Sequence, residues 1–149
     1  METVYGKGGK TLTDVEEFLM SALDARREAE RLSRRVAELE SRARRMTVSQ
    51  SARPVGGPGP EEVWMRLAEE REQLLRQRTL ALERERAVDA FIARLRKPRW
   101  RAMLRLCFLD GCSLREASSR LNYSYGYGRR LSGEARRAAA SLWETEAEE

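Results

Sequence analysis

The feature that most constrains the fold is a series of apolar residues spaced alternately by four and three positions. Its members are Phe18, Ala22, Ala25, Ala29, Leu32, Val36, Leu39, Ala43 and Met46. Heptad spacing of this kind places all of them on one side of an α-helix. The other sides are strongly charged, as in the segment RREAERLSRR. A single helix cannot bury such a stripe alone, so the pattern predicts a second helix packed along it.

A second heptad pattern supplies that helix between about residues 61 and 95. Its seven-residue steps fall on Leu67, Leu74, Ala81, Val88 and Leu95, Trp64 and Ile92 are apolar at its ends, and Leu75 and Leu82 widen the stripe. The segment SARPVGGPGP lies between the two patterns, and glycine and proline interrupt regular structure. Residues 13–95 are therefore expected to form two long coiled-coil-type helices joined by a loop at 47–60. They can pair as an antiparallel hairpin or between chains.

Composition agrees with an all-α protein. Of the 149 residues, 36% are charged and 7% are aromatic, which favours long solvated helices over one thick core. Residues 1–12 are polar and glycine-rich, and we expect a flexible arm there. No apolar run is long enough to cross a membrane. The first residues lack the apolar core of a signal peptide, so a cytoplasmic location is expected.

The residue types needed for catalysis or metal binding are scarce. The chain has no histidine, and its two cysteines, Cys107 and Cys112, are not spaced as a zinc-binding pair. The glutamates lie in helical charge patterns rather than in an apolar cleft that would tune a general base. We therefore expect no enzymatic activity, no metal and no cofactor, and Cys107 is best interpreted as a small buried residue.

The positive charge of the chain is concentrated in one block. Residues 96–143 contain eleven basic and three acidic side chains, whereas the last six residues, ETEAEE, are acidic. A basic block is typical of a protein that binds a polyanion such as nucleic acid. An arginine-rich solvated surface is the alternative.

Three short helical signals occur within residues 96–143. The first has Trp100, Met103, Leu104, Cys107 and Phe108 on one face. The second opens with the capping box of Ser113 and Glu116. After a turn at Asn122, the third is capped by Ser124 and runs to about Trp143, followed by an acidic tail at 144–149. Helix, short turn and helix is the spacing of a helix-turn-helix, whose second helix enters the major groove of DNA.

This geometry predicts a set of DNA contacts. Arginine can bind guanine with two hydrogen bonds or bind a phosphate through its planar guanidinium. We expect DNA binding by Ser113, Arg115, Arg120, Ser124, Tyr125, Arg129, Arg130, Arg136 and Arg137, with phosphate contacts from Arg99, Arg101 and Arg105. Two glycines at the start of the third helix, Gly126 and Gly128, each cost about 1 kcal/mol. Gly126 should face outward and Gly128 the core, where packing is expected to be loose and Tyr127 to fill the space. We expect this first turn to be mobile until DNA orders it.

The segment LRLCFLDGCSLREASSRLNYSYGYGRRLSGEARRAAASL resembles region four of bacterial sigma factors. It is more similar still to the corresponding domain of phage-encoded transcriptional activators of the RinA and ArpU kind. The matching residues are Leu104, Phe108, Asp110, Gly111, Ser113, Glu116, Leu121, Tyr123, Ser124, Leu131, Glu134 and Ala135. The resemblance implies a phage or prophage protein in the bacterial cytoplasm that binds promoter DNA and acts with host RNA polymerase.

The sequence leaves other functions open. A small terminase subunit also combines a helix-turn-helix with oligomerising helices and binds a packaging ATPase. A scaffold protein would instead use the long helices to bind a protein partner. In each case the predicted fold is a long antiparallel helical hairpin followed by a C-terminal helix-turn-helix, and homo-oligomers through the long helices are expected.

Overall fold

A computed structural model describes residues 12–48 and 59–147, and nearly all of these residues are helical. The helices are α1 (Leu12–Val48), α2 (Pro60–Ala93), α3 (Pro98–Phe108), α4 (Leu114–Arg120) and α5 (Tyr125–Ala147). The described residues contain no strand, which confirms the all-α prediction. The arm expected at 1–12 lies outside the described residues apart from Leu12, and so does most of the loop expected at 47–60.

Prolines mark two of the helix starts. Pro60 and Pro98 are the first residues of α2 and α3, because a fixed φ and a missing N–H suit the first turn of a helix. The residue before Pro98, Lys97, is extended with φ −94° and ψ 129°, as proline requires of the residue that precedes it. The backbone N–H of Gly59 donates to Oε1 of Glu62 over 3.2 Å, which fixes the start of α2.

The chain divides into two compact units. The hairpin unit comprises Ala25–Ala81, and the terminal unit combines the residues up to Asp24 with those from Leu82 onward. Both long helices therefore contribute to both units.

In the hairpin unit the two heptad seams face each other. Its buried core consists of Ala29, Leu32, Val36 and Leu39 of α1 with Leu67 and Leu74 of α2. Contacts between the two helices show that they are antiparallel. Gln77 Nε2 donates to the carbonyl oxygen of Ala25 over 3.3 Å, and further along α1 Arg35 lies 3.2 Å from the carboxylate of Glu70, which precedes Gln77 on α2. Exposed ion pairs contribute less than about 1 kcal/mol each, so the apolar seam supplies most of the stability. In this unit the seam is buried within one chain.

The predicted width of the α2 stripe is wrong at three positions. Leu75 is 63% exposed, Leu82 is 52% exposed and Trp64 is 45% exposed, while Val63 is buried. Successive helical residues are rotated by about 100°. Trp64, Leu75 and Leu82 each follow a residue of the face that packs on α1. Their own side chains are therefore rotated away from that face.

The terminal unit is built from both ends of the described chain. Its core brings together Val15, Leu19 and Ala22 of α1, Val88, Phe91 and Ile92 of α2, Leu104 and Phe108 of α3, and Ala135 and Ala139 of α5, with Leu95 after α2. The rings of Phe18, Phe91 and Trp143 contact one another with centroids 4.9–5.6 Å apart.

The last helix extends beyond its expected end near Trp143. It continues to Ala147, so the residues expected as an acidic tail are helical as far as that position. Two contacts stabilise this end. Trp143 packs between Phe18 and Phe91, and both carboxylate oxygens of Glu146 accept hydrogen bonds from Arg94 over 2.5 and 2.6 Å.

Two leucines of α2 should differ strongly in their contribution to the stability of the hairpin unit. Leu67→Ala should lower the free energy of unfolding by about 2–5 kcal/mol, because this side chain is 0% exposed and its removal leaves a cavity. Leu75→Ala is the matched control and should change it by less than about 0.5 kcal/mol. Urea unfolding followed by circular dichroism measures both. Similar destabilisation by the two variants would contradict the buried seam.

Candidate nucleic-acid interface

Helix α4 begins at the predicted capping box. Oγ of Ser113 accepts from the N–H of Glu116 over 3.1 Å, and Oε1 of Glu116 accepts from the N–H of Ser113 over 3.0 Å. Two backbone donors that a helix leaves without partners are thereby satisfied. The sequence prediction of this cap is confirmed.

The turn between α4 and α5 depends on one asparagine. Asn122 has φ 63°, a left-handed conformation that asparagine adopts more readily than most residues. The chain reverses there, and Tyr123 N–H donates to the carbonyl oxygen of Ser118 over 2.9 Å. Ser124 then caps α5, because its Oγ accepts from the N–H of Tyr127 over 3.1 Å. The predicted helix-turn-helix and its cap at Ser124 are confirmed.

The first turn of α5 contacts α4 through a residue without a side chain. Gly128 is buried, and a Cβ built on it would lie 1.8 Å from Oγ and 2.7 Å from Cβ of Ser118. Ser118 is 1% exposed, and its hydroxyl donates to the carbonyl oxygen of Leu114 over 2.8 Å. The space beside Gly128 is therefore filled by Ser118, and the expectation that Tyr127 fills it was wrong. The expected loose packing is replaced by close contact.

Tyr127 instead contacts a second tyrosine and two arginines. Its ring lies 4.8 Å from the ring of Tyr123, measured between centroids. Its hydroxyl accepts a hydrogen bond from Arg99 Nη1 over 2.7 Å, and the guanidinium of Arg130 lies 5.8 Å from its ring. Tyr127 thus joins arginines of α3 and α5.

Five of the six arginines predicted to bind DNA are exposed on α4 and α5. They are Arg115 and Arg120 of α4 and Arg129, Arg130 and Arg137 of α5. Within residues 12–48 and 59–147, none of these five forms an ion pair with a carboxylate. Their positive charges are therefore not neutralised by neighbouring side chains, which leaves them suited to an external anion.

The hydroxyls of Ser113 and Ser124 already serve as helix caps. Each accepts a backbone N–H and is exposed. A hydroxyl that accepts in this way can still donate its own proton, so both residues remain able to contact a phosphate oxygen.

Arg136 differs from the other arginines of the predicted set. Its Nη1 donates to Oε2 of Glu16 over 3.3 Å, and its guanidinium lies 5.4 Å from the ring of Phe108. The side chain is half-buried inside the terminal unit. These contacts give Arg136 a structural role, because they join α5 to α1 and α3, and they separate it from the exposed group.

All three arginines expected to contact phosphate form hydrogen bonds within the protein. Arg105 Nε donates to Asp89 over 2.7 Å, and Arg101 donates to the carbonyl oxygens of Leu95 and Arg96 over 2.5 and 3.1 Å. These bonds tie α3 to the end of α2. Arg99 donates to the hydroxyl of Tyr127 rather than to a carboxylate.

The tyrosine–arginine contacts were the part of the site that sequence reasoning did not predict. One signal was available, since Tyr125 and Arg129 are four residues apart and therefore neighbours on a helix. The contacts of Arg99 and Arg115 with tyrosines of α5 depend on tertiary packing, and no local spacing indicates them.

Both cysteines are free thiols, and both are partly buried. Burial raises the pKa of the Cys107 thiol, whose Sγ lies 3.9 Å from Sδ of Met103. In the described part of the chain, no three His, Cys, Asp or Glu side chains are grouped so that they could hold a metal ion.

Comparison of the chain with protein-family models, with curated proteins and with solved structures gave no match in any of the three. Among the described helices, none combines the length and the apolar content required to cross a membrane.

The two glycines at the start of α5 should respond oppositely to alanine. Gly128→Ala should destabilise the protein by about 1–3 kcal/mol, because the added Cβ overlaps Ser118. Gly126→Ala should stabilise it by up to about 1 kcal/mol, because nothing lies within 4 Å of the added Cβ and glycine weakens helices. Urea unfolding measures both free energies. Equal effects would contradict the close contact between α4 and α5.

Proposed function

We propose that the protein is a sequence-specific DNA-binding transcription regulator of phage or prophage origin that acts at promoters with host RNA polymerase. The observation that carries this proposal is the group of five exposed arginines at the helix-turn-helix, none paired with a carboxylate of the described residues. Such a group matches the phosphates and guanine edges of duplex DNA.

In the proposed complex the start of α5 enters the major groove. Arg129 and Arg130 then reach base edges and nearby phosphates, while Arg115 and Arg120 of α4 contact the phosphates beside the groove. The positive end of the α5 dipole points toward the same anionic backbone. Gly126 is exposed, and nothing lies within 4 Å of a Cβ built on it, so the helix backbone can approach the DNA closely.

The promoter and polymerase parts of the proposal rest on the resemblance to sigma region four and to phage activators of the RinA and ArpU kind. Several residues that carry this resemblance have structural roles here. Leu104 and Phe108 are buried, and Ser113 and Glu116 form the capping box. These roles support the fold that the resemblance implies, and the role in transcription is inferred from the likeness itself.

Removal of two arginines tests DNA binding. Arg129→Ala with Arg130→Ala should weaken binding to a selected promoter-like duplex at least about tenfold, because each specific arginine contact is worth about 1–3 kcal/mol. The slope of log affinity against log salt concentration should also become shallower by about one for each phosphate that these arginines neutralise. Fluorescence anisotropy over a series of salt concentrations measures both quantities. The duplex is first selected from a random pool by the wild-type protein.

The matched control removes the same charge from exposed arginines of α2. Arg84→Ala with Arg86→Ala should leave affinity within about twofold, since neither side chain belongs to the helix-turn-helix that is proposed to contact DNA. If the Arg129 and Arg130 variant binds as tightly as this control, the proposed interface is wrong.

The expectation of homo-oligomers through the long helices remains part of the proposal. In the hairpin unit the heptad seam is already buried within the chain. The apolar side chains of that unit that remain exposed on α2 include Trp64, Met65 and Leu75. Contacts between copies are therefore expected on this outer face of α2.

The mass of the assembly separates the regulator from the alternative function. A dimer by multi-angle light scattering, weakened by Trp64→Ala with Leu75→Ala, is the result expected for the regulator. A closed ring of many copies would instead favour a small terminase subunit, which binds DNA through the same helix-turn-helix and also contacts a packaging ATPase.

A further inference from the structure

The ring of Tyr125 contacts two arginines that come from different helices. The guanidinium carbon of Arg115, on α4, is 4.1 Å from the centroid of its ring, and that of Arg129, on α5, is 5.9 Å away. Both distances are within the range in which the negative face of an aromatic ring attracts a cation. The Tyr125 side chain is 38% exposed, so its ring is not needed to fill the core.

These contacts fix arginines without neutralising them. Elsewhere in the terminal unit Arg94, Arg105 and Arg136 are held by carboxylates. A carboxylate beside a DNA-binding arginine would cancel its charge and repel the phosphate backbone. An aromatic ring carries no net charge, so Arg115 and Arg129 are restrained while their full positive charge remains available.

Restraint before binding has a direct effect on affinity. A free arginine side chain loses conformational freedom when it contacts DNA, and this loss opposes binding. Arginines that a ring already orders lose less conformational freedom when they bind DNA. In this structure the ring also sets the separation of a guanidinium on α4 from one on α5, which are the two helices that a helix-turn-helix places on the DNA.

We propose that Tyr125 is a positioning residue for DNA binding. It acts through Arg115 and Arg129 rather than through a contact of its own. The inference rests on the proposed function, and it replaces the direct contact with DNA expected of Tyr125 from the sequence. Such a contact would be a bond from the Tyr125 hydroxyl to phosphate or stacking of the ring on a base. One face of the ring is already covered by Arg115 at 4.1 Å.

Two substitutions of Tyr125 separate the ring from the hydroxyl. Tyr125→Phe retains the ring and should keep affinity for the selected duplex within about twofold of wild type. Tyr125→Leu removes the ring and should lower affinity about two- to tenfold, the cost of ordering one freed arginine side chain on binding. The salt dependence should be the same for both variants, because neither removes an arginine. Fluorescence anisotropy with the duplex selected by the wild-type protein provides these values.

A double-mutant cycle with Arg115→Ala then tests whether Tyr125 affects DNA binding through Arg115. In the Arg115→Ala background, Tyr125→Leu should cost less than it does in the wild-type background, because the closer of the two ring contacts is already gone. Weaker binding by Tyr125→Phe would indicate a hydroxyl bond to DNA. An equal cost of Tyr125→Leu in both backgrounds would indicate stacking on a base. Either result overturns the positioning role.

The variant lacking Arg129 and Arg130 keeps this inference separate from the proposed function. If that variant binds DNA as wild type does, the proposed function fails. If it loses binding while Tyr125→Leu binds as wild type does, the function stands and only the role of Tyr125 is refuted. Circular dichroism of Tyr125→Leu should match wild type, since the side chain is exposed and leucine favours helix.

Discussion

The contact between Ser118 and Gly128 is the interaction on which the helix-turn-helix depends. Helix α5 can lie against α4 at this point because Gly128 has no side chain, and the Ser118 hydroxyl is satisfied by its own helix. A pair of larger residues would hold the helices further apart. The neighbouring contacts of α5 with Arg99 and Arg115, which bring the exposed arginines together, require this close approach.

Much of this fold could be predicted from the sequence where the signals are local or periodic. Heptad spacing predicted the two long helices and most of their buried residues, and the pattern around Ser113 and Glu116 predicted a cap that the structure contains. The exposure of Leu75 was missed because the apolar pattern of one helix does not indicate how wide a surface its partner helix covers. The partner of Gly128 was missed for a related reason, since it lies on another helix.

The arginines of the terminal unit show why the site was harder to predict than the fold. Arg129 and Arg136 both lie on α5, and from the sequence both are basic residues of a basic block. The structure gives them opposite surroundings, with an aromatic ring beside Arg129 and the carboxylate of Glu16 beside Arg136. Glu16, the partner of Arg136, is far from it in the sequence. Only tertiary structure distinguishes an arginine that holds the protein together from one whose charge remains available.

The terminal unit has a consequence for how the chain folds. Val15 and Leu19 pack in the same core as Ala135 and Ala139, and Arg136 bonds to Glu16. Contacts between residues so distant in sequence form late, because a long loop must close before they can stabilise anything. During synthesis the first turns of α1 emerge long before α5 exists. Their apolar side chains must then stay exposed, or be covered by something else, until the last helix leaves the ribosome.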